Sequence, residues 1–203
     1  MTAENDEAIV CAVQDGQKEA FGRLVDRHKE RVYAMLMRLT GDPQAAEELA
    51  HEAFVRSYRN LKNFRGKSRF STWLTQIAIN LARDHIRERQ RSKAVSLEAI
   101  LERDPDTLQF AERRSHYDPL AEVSARDMIE KFEIALRELP QNYREVFVLH
   151  HIQDVSYEDI AAATGDSVGS LKVRAHRARK LLKDKLFPEE TSVTPEDILR
   201  QKR

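Results

Sequence analysis

Apolar positions along this chain recur at intervals of three and four residues, the spacing that gathers them on one face of a helix. Phe21, Leu24, Val25, His28, Val32, Met35, Leu36 and Leu39 mark a long amphipathic helix that Gly41 stops. Asp42 and Pro43 restart the chain as N-cap and first helical residue. The next stripe, Ala46, Ala50, Ala53, Ser57 and Leu61, predicts a helix with small inward residues and with Glu47, Glu48, Glu52 and Arg59 on its other faces. A loop rich in Gly and Ser over 63–68 precedes a helix from 71 to about 91, with Trp73, Ile77, Ala78 and Leu81 inward. With a short leading helix over 4–13, these elements can close one core around Phe21, Phe54 and Trp73.

The pattern breaks over 94–122, which holds Asp104-Pro105-Asp106 and Asp118-Pro119 and offers at most a short helix over 97–101. So long a stretch without periodicity reads as an interdomain linker. Periodicity resumes with Met128, Phe132, Leu136 and Leu139, is interrupted by Pro140, and continues with Tyr143, Val146, Phe147 and His150. The expected organisation is therefore all-α: two small helical domains, 1–93 and 123–187, joined by a flexible linker, with a polar tail over 188–203.

The segment 156–185 is the most specific. Ser156 followed by Asp159 forms a capping box at a helix start. Ile160 and Ala161 face inward, and Gly165 can take the left-handed conformation that ends the helix. The following helix buries Val168, Leu171, Ala175, Ala178 and Leu182, and its other faces carry Lys172, Arg174, His176, Arg177, Arg179, Lys180, Lys183 and Lys185. This is a helix-turn-helix whose second helix is apolar on one side and cationic on the rest, a shape that fits a major groove.

Charge sharpens this picture. The 203 residues hold 34 basic and 34 acidic side chains. The balance conceals blocks: residues 61–93 carry 9 basic against 2 acidic, and 94–139 carry 6 against 11. Two basic zones flank an acidic middle, so a partner that sees one face at a time does not meet a neutral protein. Cys11 is the sole cysteine, which excludes an internal disulfide, and its spacing from Ile9 and Val13 predicts a small core residue. The first ten residues lack the basic-then-apolar order of a signal peptide, and no apolar run reaches the roughly 18 residues of a membrane span. A cytoplasmic chain without stable membrane insertion is expected.

The basic zone 64–91 interleaves cations with aromatics. Phe64, Phe70 and Trp73 offer π-faces, and Arg65, Lys67, Arg69, Arg83, Arg87, Arg89 and Arg91 offer phosphate-seeking charge. Single-stranded nucleic acid is held this way, with bases stacked on rings and the backbone in a basic groove. Trp73 fits the core by its spacing from Ile77 and Leu81, whereas Phe64 and Phe70 flank the flexible loop. Asn80, Arg83, Asp84, Arg87 and Arg91 share one helix face, and Asn80 and Asp84 can read a base edge.

The two motifs, AEELAHEAFVRSYRNLKNFRGKSRFSTWLTQIAINLARDHIRERQR and LPQNYREVFVLHHIQDVSYEDIAAATGDSVGSLKVRAHRARKLL, together resemble the bacterial RNA polymerase sigma factors of the extracytoplasmic-function (ECF) group over about residues 8–187. The resemblance implies a −10 element domain, a linker threading toward the polymerase active centre, and a −35 element domain. It implies that Glu48, Leu49, His51, Glu52 and Val55 meet the clamp helices of the polymerase β′ subunit; the family usually has Gln at the place of His51. Phe64, Arg65, Lys67, Arg69, Phe70, Asn80, Arg83, Asp84, Arg87 and Arg91 fall where the family melts the −10 element and traps a flipped base. Ser170, Lys172, Val173, Arg174, His176, Arg177 and Arg179 fall where it binds the −35 element, Arg174 and Arg179 as phosphate contacts. Leu139, Tyr143, Val146 and Phe147 fall near the contact with the β flap, and an anti-sigma factor is an implied partner. The family's Pro before the recognition helix is absent from Ser167-Val168-Gly169-Ser170.

Two other classes account for less. A conventional helix-turn-helix regulator, dimeric on paired half-sites, explains the second domain and leaves the aromatic-basic loop without a purpose. An enzyme is disfavoured: His51-Glu52 begins like H-E-x-x-H but the second His is absent, and His150 and His151 are expected on different sides of a helix. No catalytic residue, cofactor or metal is expected. A split of basic surfaces around an acidic middle suits a chain that grips DNA only when polymerase holds both domains at promoter spacing.

Overall fold

The computed structural model describes residues 5–101 and 125–188, with side chains over 5–92 and 126–188, and every regular element among them is helical. The tail and most of the linker named above lie outside the described residues.

The first lobe contains α1 (Asp6–Gln14), α2 (Phe21–Thr40), α3 (Pro43–Asn60) and α4 (Phe70–Leu101), with single 3-10 turns at Lys18–Ala20 and Leu61–Asn63. Local chemistry sets the ends. Asn5 caps α1 through Ala8 N–H at 2.9 Å. Gly41 ends α2 at φ +68°, and the Asp42 carboxylate accepts from the amides of Gln44 and Ala45 to start α3. The α2 stripe is buried as spaced, with Leu24, Met35, Leu36 and Leu39 at 0–2 % exposure. The small residues of α3 let α2 and α4 approach closely: Ala46, Ala53 and Ser57 are fully buried.

Helix α4 buries more than its expected stripe, because Leu74, Ile79 and Ala82 join Ala78 and Leu81 inside while Trp73 and Ile77 are only half-buried. It also continues to Leu101, ten residues past its expected end. The chain has no glycine or proline between Gly66 and Pro105 to stop it. Residues 94–101, read from sequence as linker, thus prolong the helix. Cys11 is a correction: α1 turns Ile9 and Val10 inward and leaves Cys11 exposed.

The second lobe contains α5 (Ala125–Arg137), α6 (Gln141–Phe147), α7 (Tyr157–Thr164) and α8 (Val168–Leu186). Pro140 separates α5 from α6, and α6 runs into a π-helical turn, Val148–Ile152, closed by Gln153 N–H on the Val148 carbonyl at 3.0 Å. Leu136, Leu149, Ile160, Leu171, Ala175 and Ala178 form its core, each at 1 % exposure or less. Met128 and Val168 were expected inside, but Met128 is exposed at the start of α5 and Val168 is half-buried in the first turn of α8.

The lobes pack against each other, and their buried residues form one connected cluster. Helix α4 lies on α7, and α2 lies on the π-helical turn. Arg38 donates twice to Glu133 Oε1, at 2.7 and 3.1 Å, and Arg31 Nε donates to Gln153 Oε1 at 2.7 Å while its terminal nitrogen reaches the Gln153 carbonyl.

Candidate nucleic-acid interface

The loop that enters α4 is anchored at both ends. Leu61 and Phe70 are each 1 % exposed, and Gln14 Nε2 reaches across from α1 to the carbonyls of Leu61 at 2.9 Å and Phe64 at 3.0 Å. Phe64 is half-buried, with its ring 4.9 Å from that of Trp73 and 6.3 Å from that of Phe70. Between the anchors Gly66 turns the chain at φ +66°, and Arg65, Lys67 and Arg69 project into solvent. Their side chains have no ion-pair or hydrogen-bond partner among the described residues.

Two residues expected on this surface are not there. Phe70 is a core residue, packed beside His28, Phe64 and Trp73, and offers no face for a base. A ring that opens a helix over an apolar core gains more by burial than by exposure on a loop. Arg83 leaves the row of Asn80, Asp84, Arg87 and Arg91, all of which stay exposed. It points into the second lobe, where its Nε and Nη2 bind both Glu145 oxygens at 2.5 and 3.2 Å. The same guanidinium donates to the Thr164 carbonyl at 2.7 Å and to Asp166 Oδ2 at 2.9 Å. Burial works against its charge, but Glu145 and Asp166 outweigh that and raise its pKa above the ordinary arginine value.

The helix-turn-helix is built from local caps. Ser156 Oγ accepts from Asp159 N–H at 3.0 Å and donates to the Asp159 carboxylate at 2.7 Å. Gly165 ends α7 at φ +74°, and Ser167 caps α8 through Ser170 N–H at 3.2 Å. Three cations of α8 are braced. Lys172 Nζ sits 5.9 Å from the centre of the Tyr157 ring, Arg174 pairs with Asp166 at 2.9 Å, and Arg177 reaches the Tyr143 hydroxyl at 3.4 Å. Burial would raise the Asp166 carboxyl, yet the hydrogen bonds from Arg174 and Arg83 hold it below the ordinary value. Val173, His176 and Arg179 are exposed, Val173 at 51 %, and Ser170 is half-buried at the first turn.

In the first lobe α3 presents Glu48 and His51 outward, with Leu49, Glu52 and Val55 half-buried. Arg56 donates to Glu52 at 2.7 Å, a bond that lowers the Glu52 pKa. His51 borders a groove of about 400 Å³ between α2 and α3, lined by Val25, Tyr33, Glu47, Ala50 and Phe54.

Sequence reasoning missed Glu145, Asp166 and Gln14. Glu145 had a signal, a lone carboxylate beside the apolar run 146–149, 7 % exposed in the fold. Asp166 read as an ordinary turn residue, and Gln14 gave none, since its partners lie 47 and 50 residues away. The expectation that His150 and His151 diverge is corrected too: their rings are 4.8 Å apart, because the π-helical turn rotates the chain less per residue than an α-helix. His150 stacks on Tyr157 at 3.8 Å and faces the Val155 carbonyl with Nδ1 at 2.9 Å. No group of three or more His, Cys, Asp or Glu is placed for a metal ion among the described residues, and none of the described helices is long and apolar enough to cross a membrane.

Comparison with known proteins covers both lobes. The family model for sigma-70 region 2 matches residues 24–92, and that for sigma-70 region 4 matches 129–182. The RNA polymerase sigma-H factor of Pseudomonas aeruginosa is 34 % identical over 93 % of this chain and 97 % of its own length. The ECF RNA polymerase sigma factor SigW of Bacillus subtilis is 32 % identical over 86 % of this chain and 92 % of its own. The fold is similar to the sigma factor RpoE of Bartonella quintana, solved in complex with the anti-sigma factor NepR, at a TM-score of 0.61 and 24 % identity over 82 % of this chain and 96 % of that one.

Proposed function

Because the chain belongs to the RNA polymerase sigma factors of the ECF group, we propose that its two cationic surfaces divide promoter recognition between them. It is an alternative sigma factor and directs RNA polymerase to promoters. Within that role the first lobe, 1–93, takes the melted −10 element, and the second, 123–187, takes the −35 element as duplex.

The observation that carries this division is the different state of the cations on the two surfaces. Three of those on α8, Lys172, Arg174 and Arg177, are held against Tyr157, Asp166 and Tyr143, as suits a reader of regular duplex geometry. Lys172, Val173, His176 and Arg177 read base edges, and Ser170, Arg174 and Arg179 hold the backbone. An exposed valine amid cations fits a thymine methyl group. The loop cations Arg65, Lys67 and Arg69 are unbraced among the described residues, as suits an irregular single strand that orders as it binds. Phe64 supplies a ring at its base, while Asn80, Asp84, Arg87 and Arg91 line the exposed face of α4.

Polymerase docks on α3 through Glu48, Leu49, His51, Glu52 and Val55, and on the second lobe through the exposed start of α5, Met128 and Ile129. An anti-sigma protein would compete for these surfaces. The chain acts by binding, with no chemistry of its own, and works in the cytoplasm with polymerase and chromosome. The test is transcription of a genomic-fragment pool by core RNA polymerase with and without the protein. New, discrete start sites sharing two upstream elements are expected; no new starts and no binding to core polymerase would overturn the reading.

A further inference from the structure

We propose that Gln14 is a positioning residue for strand opening: from the end of α1 it fixes the backbone of Phe64, and so sets which −10 base the loop accepts and how fast. The inference rests on the reading of the first lobe as the −10 domain.

Gln14 is the last residue of α1. Its Nε2 gives one hydrogen to the Leu61 carbonyl at 2.9 Å and one to the Phe64 carbonyl at 3.0 Å, 47 and 50 residues further on. The Phe64 amide also donates to the Leu61 carbonyl, at 3.0 Å. A single side-chain amide therefore spans the 3-10 turn Leu61–Asn63 from its first carbonyl to its C-cap. At Phe64 the backbone leaves helical geometry, with φ −71° and ψ 116°, so the bond falls where the loop begins. The Phe64 carbonyl lies past the end of the helical segment and has no helical partner of its own, and Gln14 supplies one.

Helix α1 is a firm base for this reach. Ile9 and Val10 are buried, and the Asp6 carboxylate takes Arg27 at 2.5 Å and His28 at 2.8 Å from α2. The His28 ring in turn lies 5.7 Å from that of Phe70, the anchor at the other end of the loop. Phe64 is held twice over: its ring by Trp73, at 4.9 Å, and its backbone by Gln14.

Gln14 is exposed, so water can replace its amide at both carbonyls, and its hydrogen bonds add little to global stability. What they add is a fixed pose. Arg65, Lys67 and Arg69 have no partner among the described residues, so the loop takes its pose from its ends. A base that leaves the stack loses stacking energy, and a preorganised pocket returns it on arrival. A loop that must find its pose during opening returns less, and discriminates less among bases.

The test compares wild-type protein with Gln14→Met, which keeps the length of the side chain and removes its amide. Trp73 is the only tryptophan in the sequence, so its emission in the full-length chain reports on the contact with Phe64. Gln14→Met should keep its melting temperature, shift Trp73 emission to longer wavelength and open it to acrylamide quenching. In holoenzyme assembled with core polymerase, opening of a duplex promoter carrying 2-aminopurine in the −10 element should slow about tenfold, the effect of one or two hydrogen bonds. Preference among single-base −10 variants should flatten, while preference at the −35 element stays as in the wild type. Gln14→Glu, which sets a carboxylate against the same two carbonyls, should move each reading further in the same direction. Unmoved Trp73 emission in both variants would show that Gln14 does not hold Phe64. Moved emission with wild-type opening rate and −10 preference would show that the pose does not matter. A lower melting temperature with loss of −35 preference as well would reduce Gln14 to a stabilising residue; each of these overturns the proposal. If the wild-type holoenzyme opens no promoter, the −10 reading falls and the proposal with it, while Trp73 still reports whether Gln14 holds Phe64.

Discussion

The loop of the first lobe and the recognition helix of the second carry similar charge but hold it differently. Arg65, Lys67 and Arg69 stand on a turn pinned only at its ends, by Gln14 on one side and buried Phe70 on the other. Lys172, Arg174 and Arg177 stand on a 19-residue helix and lean on residues from α6, α7 and the turn between α7 and α8. Ordering a flexible cation at an interface costs about 0.5–1.5 kcal/mol of side-chain freedom, and a braced one has lost most of that already. The helix is therefore suited to selecting among duplex sequences, and the loop to following a strand whose shape is not fixed in advance. Charge alone does not separate reading from gripping; the partners behind the charge do.

The sharpest way to break this contrast is to remove the scaffold of one side. Ile160 is fully buried in α7 beneath the recognition helix. Ile160→Ala should cost about 2–5 kcal/mol of second-lobe stability. Transcription that depends on the −35 element should collapse, while use of a pre-melted template through the first lobe survives. Equal loss on both templates would show that the lobes do not divide the work.

Next in size is a matched pair of truncations. Lys172→Ala should cost about 1–3 kcal/mol at one base pair of the −35 element and relax the preference there. Arg65→Ala should weaken binding of polymerase holoenzyme almost uniformly across −10 sequences and flatten the salt dependence by about one counterion. Binding titrations over a set of single-base promoter variants, each at two salt concentrations, separate the two behaviours. If Arg65→Ala also changes base preference, the loop reads as well as grips.

How much of this was legible in the sequence depends on how local each cause is. The caps at Asp42 and Ser156 and the left-handed glycines Gly41 and Gly165 act within four residues, so these helix ends were readable from the chain alone. The stripe of α3 was readable for the same reason, since Ala46, Ala50, Ala53, Ser57 and Leu61 repeat with the helix and all are buried. Arg83, Phe70 and Cys11 were misjudged because their fates are set by distant partners. Arg83 shares a face with Arg87, and nothing within its own helix says that the second lobe, 62 and 83 residues on, presents two carboxylates to it. Phe70 belongs to loop or helix by a single residue, and the core beside His28 and Trp73 decides for the helix. In the sequence an exposed cation and an ion-paired one look alike.

A smaller effect tests whether local caps aim the recognition helix. Ser156→Ala removes the N-cap of α7 and should cost about 1 kcal/mol. Because α7 carries Tyr157, the ring behind Lys172, the loss should appear in −35 selectivity as well as in thermal stability. A lower melting temperature with unchanged selectivity would mean that the bracing of Lys172 is incidental.

The smallest expected effect comes from pH, and it also differs between the two functions of the second lobe. Asp166 is held below its ordinary value of 3.8 by Arg174 and Arg83 against the opposing pull of burial. A depressed carboxylate contributes stability that is present above its unfolded pKa and lost only as pH falls through the lower folded value. Faced by Arg83, Arg174 and Thr164, it therefore stays ionised from pH 8 to pH 5, and its ion pairs with Arg83 and Arg174 should contribute evenly over that range. His151 behaves in the opposite part of the scale. Burial first, then His150 and Arg179, lower its pKa below 6.5. Between that lowered value and 6.5 the unfolded chain takes up a proton that the folded chain refuses, so stability declines as pH falls through 6.5. Denaturant midpoints at pH 7.5 and pH 5.5 should show a slight loss for the wild-type protein that is reduced in His151→Asn. A loss between pH 7.5 and pH 5.5 that His151→Asn leaves unchanged would point to a titrating group other than His151.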